Sequence, residues 1–291
     1  MKVFDLHNDL PTLSHSIEEV YHKREYTFFA SNRAFLSTLQ SAYQTFTNHS
    51  VVSVFWTTRL EKPLSYINRY LKKFPLQTNR LYAIEDLGFV ETAEDLAEIC
   101  ALPLCYASLT WNQENSLAGG SYADTTLTSW GESVMDALNT SGIPIDTAHL
   151  NEKSFYAVLD KAEKILNSHT CMQSIHNHAR NLSDTQIKHI LSKGGIIGLT
   201  PVADFMGVEN TKGTCSHFAI QIDTFVQKFS IEGLCIGTDF NGAEPLVDLN
   251  NYKEFENLYE ALVKRGFKHS DIQRIFYTNA EKFFYPMRNS F

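Results

Sequence analysis

Residues 3–9 read Val-Phe-Asp-Leu-His-Asn-Asp, a short run that begins apolar and closes on an acid. Side chains alternate along a strand, so Asp5, His7 and Asp9 are predicted to share one face and Phe4 and Leu6 the other. An imidazole and a carboxylate two residues apart on one face can grip a cation, but alone the pattern equally suits a charged surface strand. Its weight comes from repetition. Further runs of strand character lie at 51–57, 81–85, 105–111, 143–149, 164–169, 195–200 and 234–239. Their mean spacing of about thirty residues is that of a βαβ unit. Eight such alternations in 291 residues predict one (β/α)8 barrel of the TIM type, a single catalytic domain over 1–291. A doubly wound open sheet is the competitor, but no G-x-G-x-x-G follows the first run and no G-x-x-x-x-G-K-[ST] occurs.

The intervening segments read as amphipathic helices. Phe35, Leu39, Ala42 and Phe46 share a helical face, as do Phe155, Leu159 and Ala162, and Phe255, Leu258 and Leu262 before Gly266. Capping-box spacing joins Thr92 to Asp95, Ser129 to Glu132, Ser183 to Gln186 and Ser270 to Gln273. Lys and Arg number 25 against 33 Asp and Glu, a formal charge of -8, which disfavours nucleic acid as a partner. No apolar stretch approaches the ~20 residues of a membrane span, and no secretory leader is read at the start. Five cysteines without a C-x-x-C pair fit reduced thiols, so the expectation is a soluble cytoplasmic protein, with no membrane partner.

Chemistry is expected where the runs end, because a barrel carries its active site at the C-terminal ends of its strands. Glu85 closes Leu-Tyr-Ala-Ile-Glu, and a carboxylate after such a run is costly to bury unless it is paired or metal-bound. His149 and His169 end two consecutive runs, and neutral imidazole is a common zinc ligand. Asp239 ends the last run after Gly237, which permits close backbone approach; it suits either a proton shuttle beside a metal or a turn former. Jointly these residues predict a nest for two cations ~3.5–4 Å apart, bridged by a carboxylate and a hydroxide and serving hydrolysis. The oxygen and nitrogen donors, without thiolate, suit zinc, manganese or similar ions.

With these residues in hand, the chain resembles the membrane dipeptidase (renal dipeptidase) family, peptidase family M19, among the amidohydrolase-like metal barrels. The resemblance runs in order through DLHNDLP (5–11), AIED (83–86), LTWNQENSLAGG (109–120), DTAHL (146–150), SHT (168–170), RNLSDTQI (180–187) and GTDFNG (237–242). It implies a zinc-dependent dipeptidase with two Zn2+ per protomer. His7 and Asp9 would hold one ion, His149 and His169 the other, and Glu85 would bridge them. It further implies that Arg180 holds the substrate's terminal carboxylate, a task suited to a guanidinium fork, and that Asp239 transfers the proton. His176 and His178 would then be loop residues. A dipeptide-like small molecule is the implied partner, and a homodimer is compatible with the family.

Two positions depart from the family pattern. Trp111 stands where a histidine commonly contacts the substrate carbonyl, and Asn241 where a second acid is frequent. An indole offers an N–H but no charge. Trp111 therefore raises a second expectation, hydrolysis of another small amide or ester such as an N-acyl amino acid, a modified dipeptide or a lactone. A third is a relative impaired in catalysis. A single-metal deaminase on a similar barrel is the outside alternative, disfavoured because such sites open with H-x-H rather than His7-Asn8-Asp9.

Overall fold

The computed structural model describes residues 1–15 and 49–288. The helical stripe expected at Phe35–Phe46 lies outside the described residues. Eight parallel strands close into a barrel in the order of the chain: β1 (Phe4–Asn8), β2 (Ser50–Trp56), β3 (Arg80–Glu85), β4 (Leu104–Ser108), β5 (Ile145–Asp146), β6 (Ile165–Thr170), β7 (Ile196–Leu199) and β8 (Leu234–Ile236). All eight predicted runs are strands. Between and after them lie α1 (Pro63–Lys73), α2 (Ala93–Cys100), α3 (Ser129–Thr140), α4 (Glu152–Lys161), α5 (Asp184–Ser192), α6 (Cys215–Phe229), α7 (Phe255–Lys264), α8 (His269–Gln273) and α9 (Asn279–Arg288).

The alternation of side chains sorts the core into two. Outward residues such as Phe55, Tyr82, Ile84, Ile145 and Ile197 pack beneath the helices, against Phe155, Phe218, Leu258 and Leu262 among others. Inward residues, including Phe4, Leu6, Val52, Val54, Leu81, Ala83, Tyr106 and Leu166, fill the barrel with Ala280 and Phe284 of α9. Phe284 stacks on Phe4 with centroids 5.5 Å apart, so α9 seals the floor of the barrel. Burying one such ring contributes roughly 1.5–3 kcal/mol.

Helix starts follow the predicted caps at Thr92 and Ser183, each with a reciprocal capping box. The other two differ. Thr128, not Ser129, caps α3, its Oγ1 accepting from Gly131 N, and α8 begins after Lys268 with Ser270 inside it. A capping residue needs extended backbone, which Thr128 and Lys268 have, whereas Ser129 and Ser270 already lie inside the helices. Cys100, Cys105, Cys171, Cys215 and Cys235 are all free thiols. Among the described residues no helix is long and apolar enough to cross a membrane.

Candidate metal centre and active site

Alternation alone misplaces the first ligand. Phe4 and Leu6 face the barrel interior, which would turn His7 outward with Asp5. The ladder to β2 shifts register between Asp5 and Asn8, and this irregularity re-aims His7 into the barrel mouth. Asp5 does not join the site: its carboxylate accepts from Thr238 N (2.8 Å), Thr238 Oγ1 (2.6 Å) and Tyr252 OH (2.5 Å). The predicted common face of Asp5, His7 and Asp9 is thereby corrected, while His7 and Asp9 stay together, Nε2 to Oδ2 3.4 Å.

The remaining donors come from strand ends and the residues just after them. Glu85 is the last residue of β3, and His169 lies within β6. His149 and Asp239 sit three residues beyond β5 and β8, on left-handed backbone with φ 68° and 57°. Such backbone is uncommon for residues with a Cβ, and clusters at functional sites. The loop that carries Asp239 is stitched to β1: Asp239 N donates to His7 O and Asp9 N to Phe240 O, both at 3.0 Å. Gly242 permits the packing that results, since a Cβ there would collide with Asp9 Oδ2 and Asp239 Oδ1.

The side chains converge on Glu85 Oε1. His149 Nε2 lies 2.9 Å from it, and His7 Nε2 and His169 Nε2 each 3.7 Å. His149 Nε2 and His169 Nε2 are 3.0 Å apart, close to the about 3.3 Å that two nitrogens keep around one tetrahedral ion. Among the described residues two groups have donors mutually within 4.8 Å: His7, Glu85 and His169, and His7, Asp9 and Asp239. Asp239 thus stands among the candidate ligands.

The three imidazoles are oriented alike. His149 Nδ1 lies 2.8 Å from Asn112 Oδ1, His169 Nδ1 2.8 Å from Ser168 Oγ, and His7 Nδ1 3.2 Å from the same hydroxyl. Each ring therefore turns its Nε2 to the centre. Asn112 and Ser168 were not singled out in the sequence. Both lie inside the quoted motifs, but a linear pattern does not tell which nitrogen they will meet.

Charges crowd the centre. Burial opposes a charge on His7, yet Asp9, Glu85 and Asp239 hold its pKa up at about 10. Burial pushes Glu85 upward, but His149, His7 and Arg180 outweigh it and bring it below the usual value. Burial, then the Asp9 charge, raises Asp239 well above the carboxylate range. Burial and Arg180 depress His149 to about 4, and burial with His7 and Arg180 keeps His169 neutral. His7 Nε2 and Asp9 Oδ1 are buried and find no hydrogen-bond partner among the described residues. Imidazole nitrogens and carboxylate oxygens aimed at one point, two of them buried without a hydrogen-bond partner and with their protons contested between neighbours, fit divalent cations that would displace those protons.

Arg180 is buried beside this centre, its Nη2 2.7 Å from His169 Nε2 and its guanidinium over Phe205. Trp111 leans on Trp56 with centroids 5.1 Å apart. Arg180, Trp111 and Asp239 line a cavity of about 150 Å³ with Trp56, Tyr122 and His178. His178 pairs with Asp204 at 3.4 Å at this cavity, in keeping with a loop role. A larger cavity, about 590 Å³, opens on the opposite end of the barrel near Lys193 and Phe283 and holds none of the predicted site residues. Chemistry, not size, selects the smaller one.

A closed parallel barrel with imidazoles and carboxylates gathered at its mouth is the (β/α)8 architecture with its candidate site at the C-terminal ends of the strands. The family model for membrane dipeptidase (peptidase family M19) matches residues 81–287, and the chain belongs to this family. Among curated relatives, an uncharacterized dipeptidase of Schizosaccharomyces pombe is 23% identical over 184 residues, 59% of this chain and 44% of that one. Dipeptidase tcpJ of Claviceps purpurea is 22% identical over 147 residues, 50% of this chain and 35% of that one. The chain thus spans less than half the length of these two relatives. Among solved structures, an amidohydrolase from Pseudomonas aeruginosa superposes with TM-score 0.69 at 19% identity, covering 82% of this chain and 88% of that one. A metallo peptidase from Rhodobacter sphaeroides, liganded with a phosphinate mimic of the dipeptide L-Ala-D-Ala, gives TM-score 0.65 at 17% identity over 86% and 71% of the two chains. These likenesses support the fold.

Proposed function

We propose that this chain is a zinc-dependent dipeptidase, one (β/α)8 catalytic domain with a two-cation site. The observation that carries this reading is the convergence of His7, His149 and His169 Nε2 on Glu85 Oε1, with Asp9 and Asp239 alongside. Family membership and the dipeptidases among its relatives support the peptide substrate. In the proposed arrangement His7 and Asp9 would hold one cation and His149 and His169 the other, with Glu85 shared between them. Cations held there would polarise the scissile carbonyl and make a water molecule acidic near neutral pH.

The protein groups divide the remaining work. Arg180 binds the free carboxylate of the dipeptide, which fixes the substrate's register along the mouth. Asp239, whose burial gives it a high proton affinity, would in its carboxylate form take the proton of the attacking water and then deliver it to the leaving amine. Trp111 and Trp56 wall the cavity. The five free thiols support a reducing, cytoplasmic setting.

The test is hydrolysis of L-L, L-D and glycine-containing dipeptides by zinc-reconstituted protein, with Glu85→Ala as control. Turnover that the control lacks is expected. A folded, metal-loaded protein that cleaves no member of the panel overturns the substrate. A second reading, another small amide or ester, is favoured by the indole of Trp111 at the wall of so small a cavity. N-acyl amino acids and lactones in the same assay separate it from the first.

A further inference from the structure

Beneath the site, one hydroxyl touches two rings. Ser168 Oγ lies 2.8 Å from His169 Nδ1, 3.2 Å from His7 Nδ1 and 2.5 Å from Asp146 Oδ2. Ser168 and Asp146 are buried at the heart of the barrel. From this contact we infer that Ser168 is a positioning residue that fixes the tautomer and aim of two metal-binding histidines at once, His7 on β1 and His169 on β6.

Proton counting carries the inference. A serine hydroxyl has one proton. Asp146 Oδ1 already accepts from Ala148 N (3.0 Å) and Ser168 N (2.9 Å), and Oδ2 takes the hydroxyl proton in the shortest contact of the group. With its proton committed, Ser168 Oγ offers the imidazoles only lone pairs, so both must bring an N–H. Each ring has an independent check. Tyr106 OH, also 3.2 Å from His7 Nδ1, has given its proton to Leu6 O at 2.6 Å and is likewise an acceptor there. Arg180 Nη2, always a donor, stands 2.7 Å from His169 Nε2, which must therefore be a lone pair. Both Nδ1 atoms carry hydrogen, and both Nε2 atoms are left for the centre. The serine is itself immobilised: a Cβ at Gly198 or at Gly237 would collide with its carbonyl oxygen, so β7 and β8 close down on its backbone. Metal-ligating histidines generally rely on one partner each for this service. Here one side chain serves two, and on the proposed reading these belong to different cations.

The inference rests on the proposed cation-holding role of His7 and His169, and the experiment separates the two. Stepwise zinc titration against a chromophoric chelator would be run on the wild type, Ser168→Ala, Ser168→Thr and Asn112→Ala. Ser168→Ala is expected to weaken both binding steps about 10- to 100-fold. Asn112→Ala, whose amide meets His149 alone of the three histidines, should weaken one step, and Ser168→Thr, which keeps the hydroxyl, should restore both. A Ser168→Ala protein with either step unchanged overturns the inference. Should Ser168→Ala fail to fold, Asp146→Asn serves instead: its amide can donate to Ser168 Oγ, turning the hydroxyl proton towards the rings, and both steps should again weaken. Nitrogen-15 NMR of the zinc-free protein reads the tautomer of His169 directly. An Nδ1–H form in the wild type supports the inference, and an Nε2–H form overturns it. A wild type that binds no zinc would instead overturn the metal reading, leaving the tautomer result to decide the role of Ser168.

Discussion

Glu85 Oε1 and His149 Nε2 lie 2.9 Å apart and join the end of β3 to the turn beyond β5. Among the described residues Glu85 is the one carboxylate within 4 Å of all three candidate imidazoles, which makes it the hub of the centre. Glu85→Gln keeps the shape and removes the charge. It is expected to lower zinc stoichiometry and cut kcat/KM more than about 10³-fold, a loss of about 4 kcal/mol in transition-state stabilisation. Metal analysis beside dipeptide kinetics checks both.

Gly242 has no side chain because Asp9 and Asp239 occupy the space. Gly242→Ala should push the two carboxylates apart while leaving the barrel intact. A displacement approaching 1 Å costs about 10²-fold in rate. The expected signature is a loss of that size in kcat/KM with an unchanged circular dichroism spectrum.

Trp111 and Trp56 narrow the mouth by leaning on each other. Trp111→Ala should raise kcat/KM for dipeptides with bulky side chains relative to Gly-Gly. It should also lower stability by about 0.5–1.5 kcal/mol through loss of the aromatic pair, besides the lost burial. A ratio of bulky to small substrates that does not move would remove Trp111 from specificity.

His49 Nδ1 accepts from Val3 N at 3.2 Å, and the ring stacks on Tyr252. Burial, reinforced by the charges of the N-terminus and Lys2, lowers its pKa to about 4. Below pH 6.5 the unfolded chain therefore takes up a proton that the folded one refuses, and stability declines as pH falls from 6.5 towards 4. The contribution is fully present above pH 6.5. Urea unfolding at pH 7.5, 5.5 and 4.5 should show a smaller decline for His49→Gln than for the wild type.

The barrel was legible because its evidence is periodic: eight apolar runs at near-equal spacing survive any uncertainty about their ends. The candidate ligands were legible because charged residues at the ends of such runs are costly without a partner. What the linear pattern could not carry was direction. The irregularity between Asp5 and Asn8 sends Asp5 to Thr238 and Tyr252 and His7 to the mouth, against the alternation rule. Asn112 and Ser168 escaped notice for a related reason: their meaning lies in the nitrogen each one touches, across 37 residues for Asn112 and 161 for the Ser168 contact with His7. Ser129 and Ser270 have the right spacing for caps but the wrong backbone.

The stitching of β1 to the turn after β8 has a consequence for how the molecule is assembled. Asp5 and Thr238, the bonded pair at this seam, are 233 positions apart, so the ring closes through one of the most distant contacts the chain possesses. Contacts of such separation form late, because the loop entropy must be met before they stabilise anything. His149 and His169 can come together beforehand across neighbouring strands, whereas His7, Asp9 and Asp239 become a unit only when the seam shuts. On the proposed two-cation reading the centre would be completed as that seam shuts, and a cation bound across it would latch the finished ring.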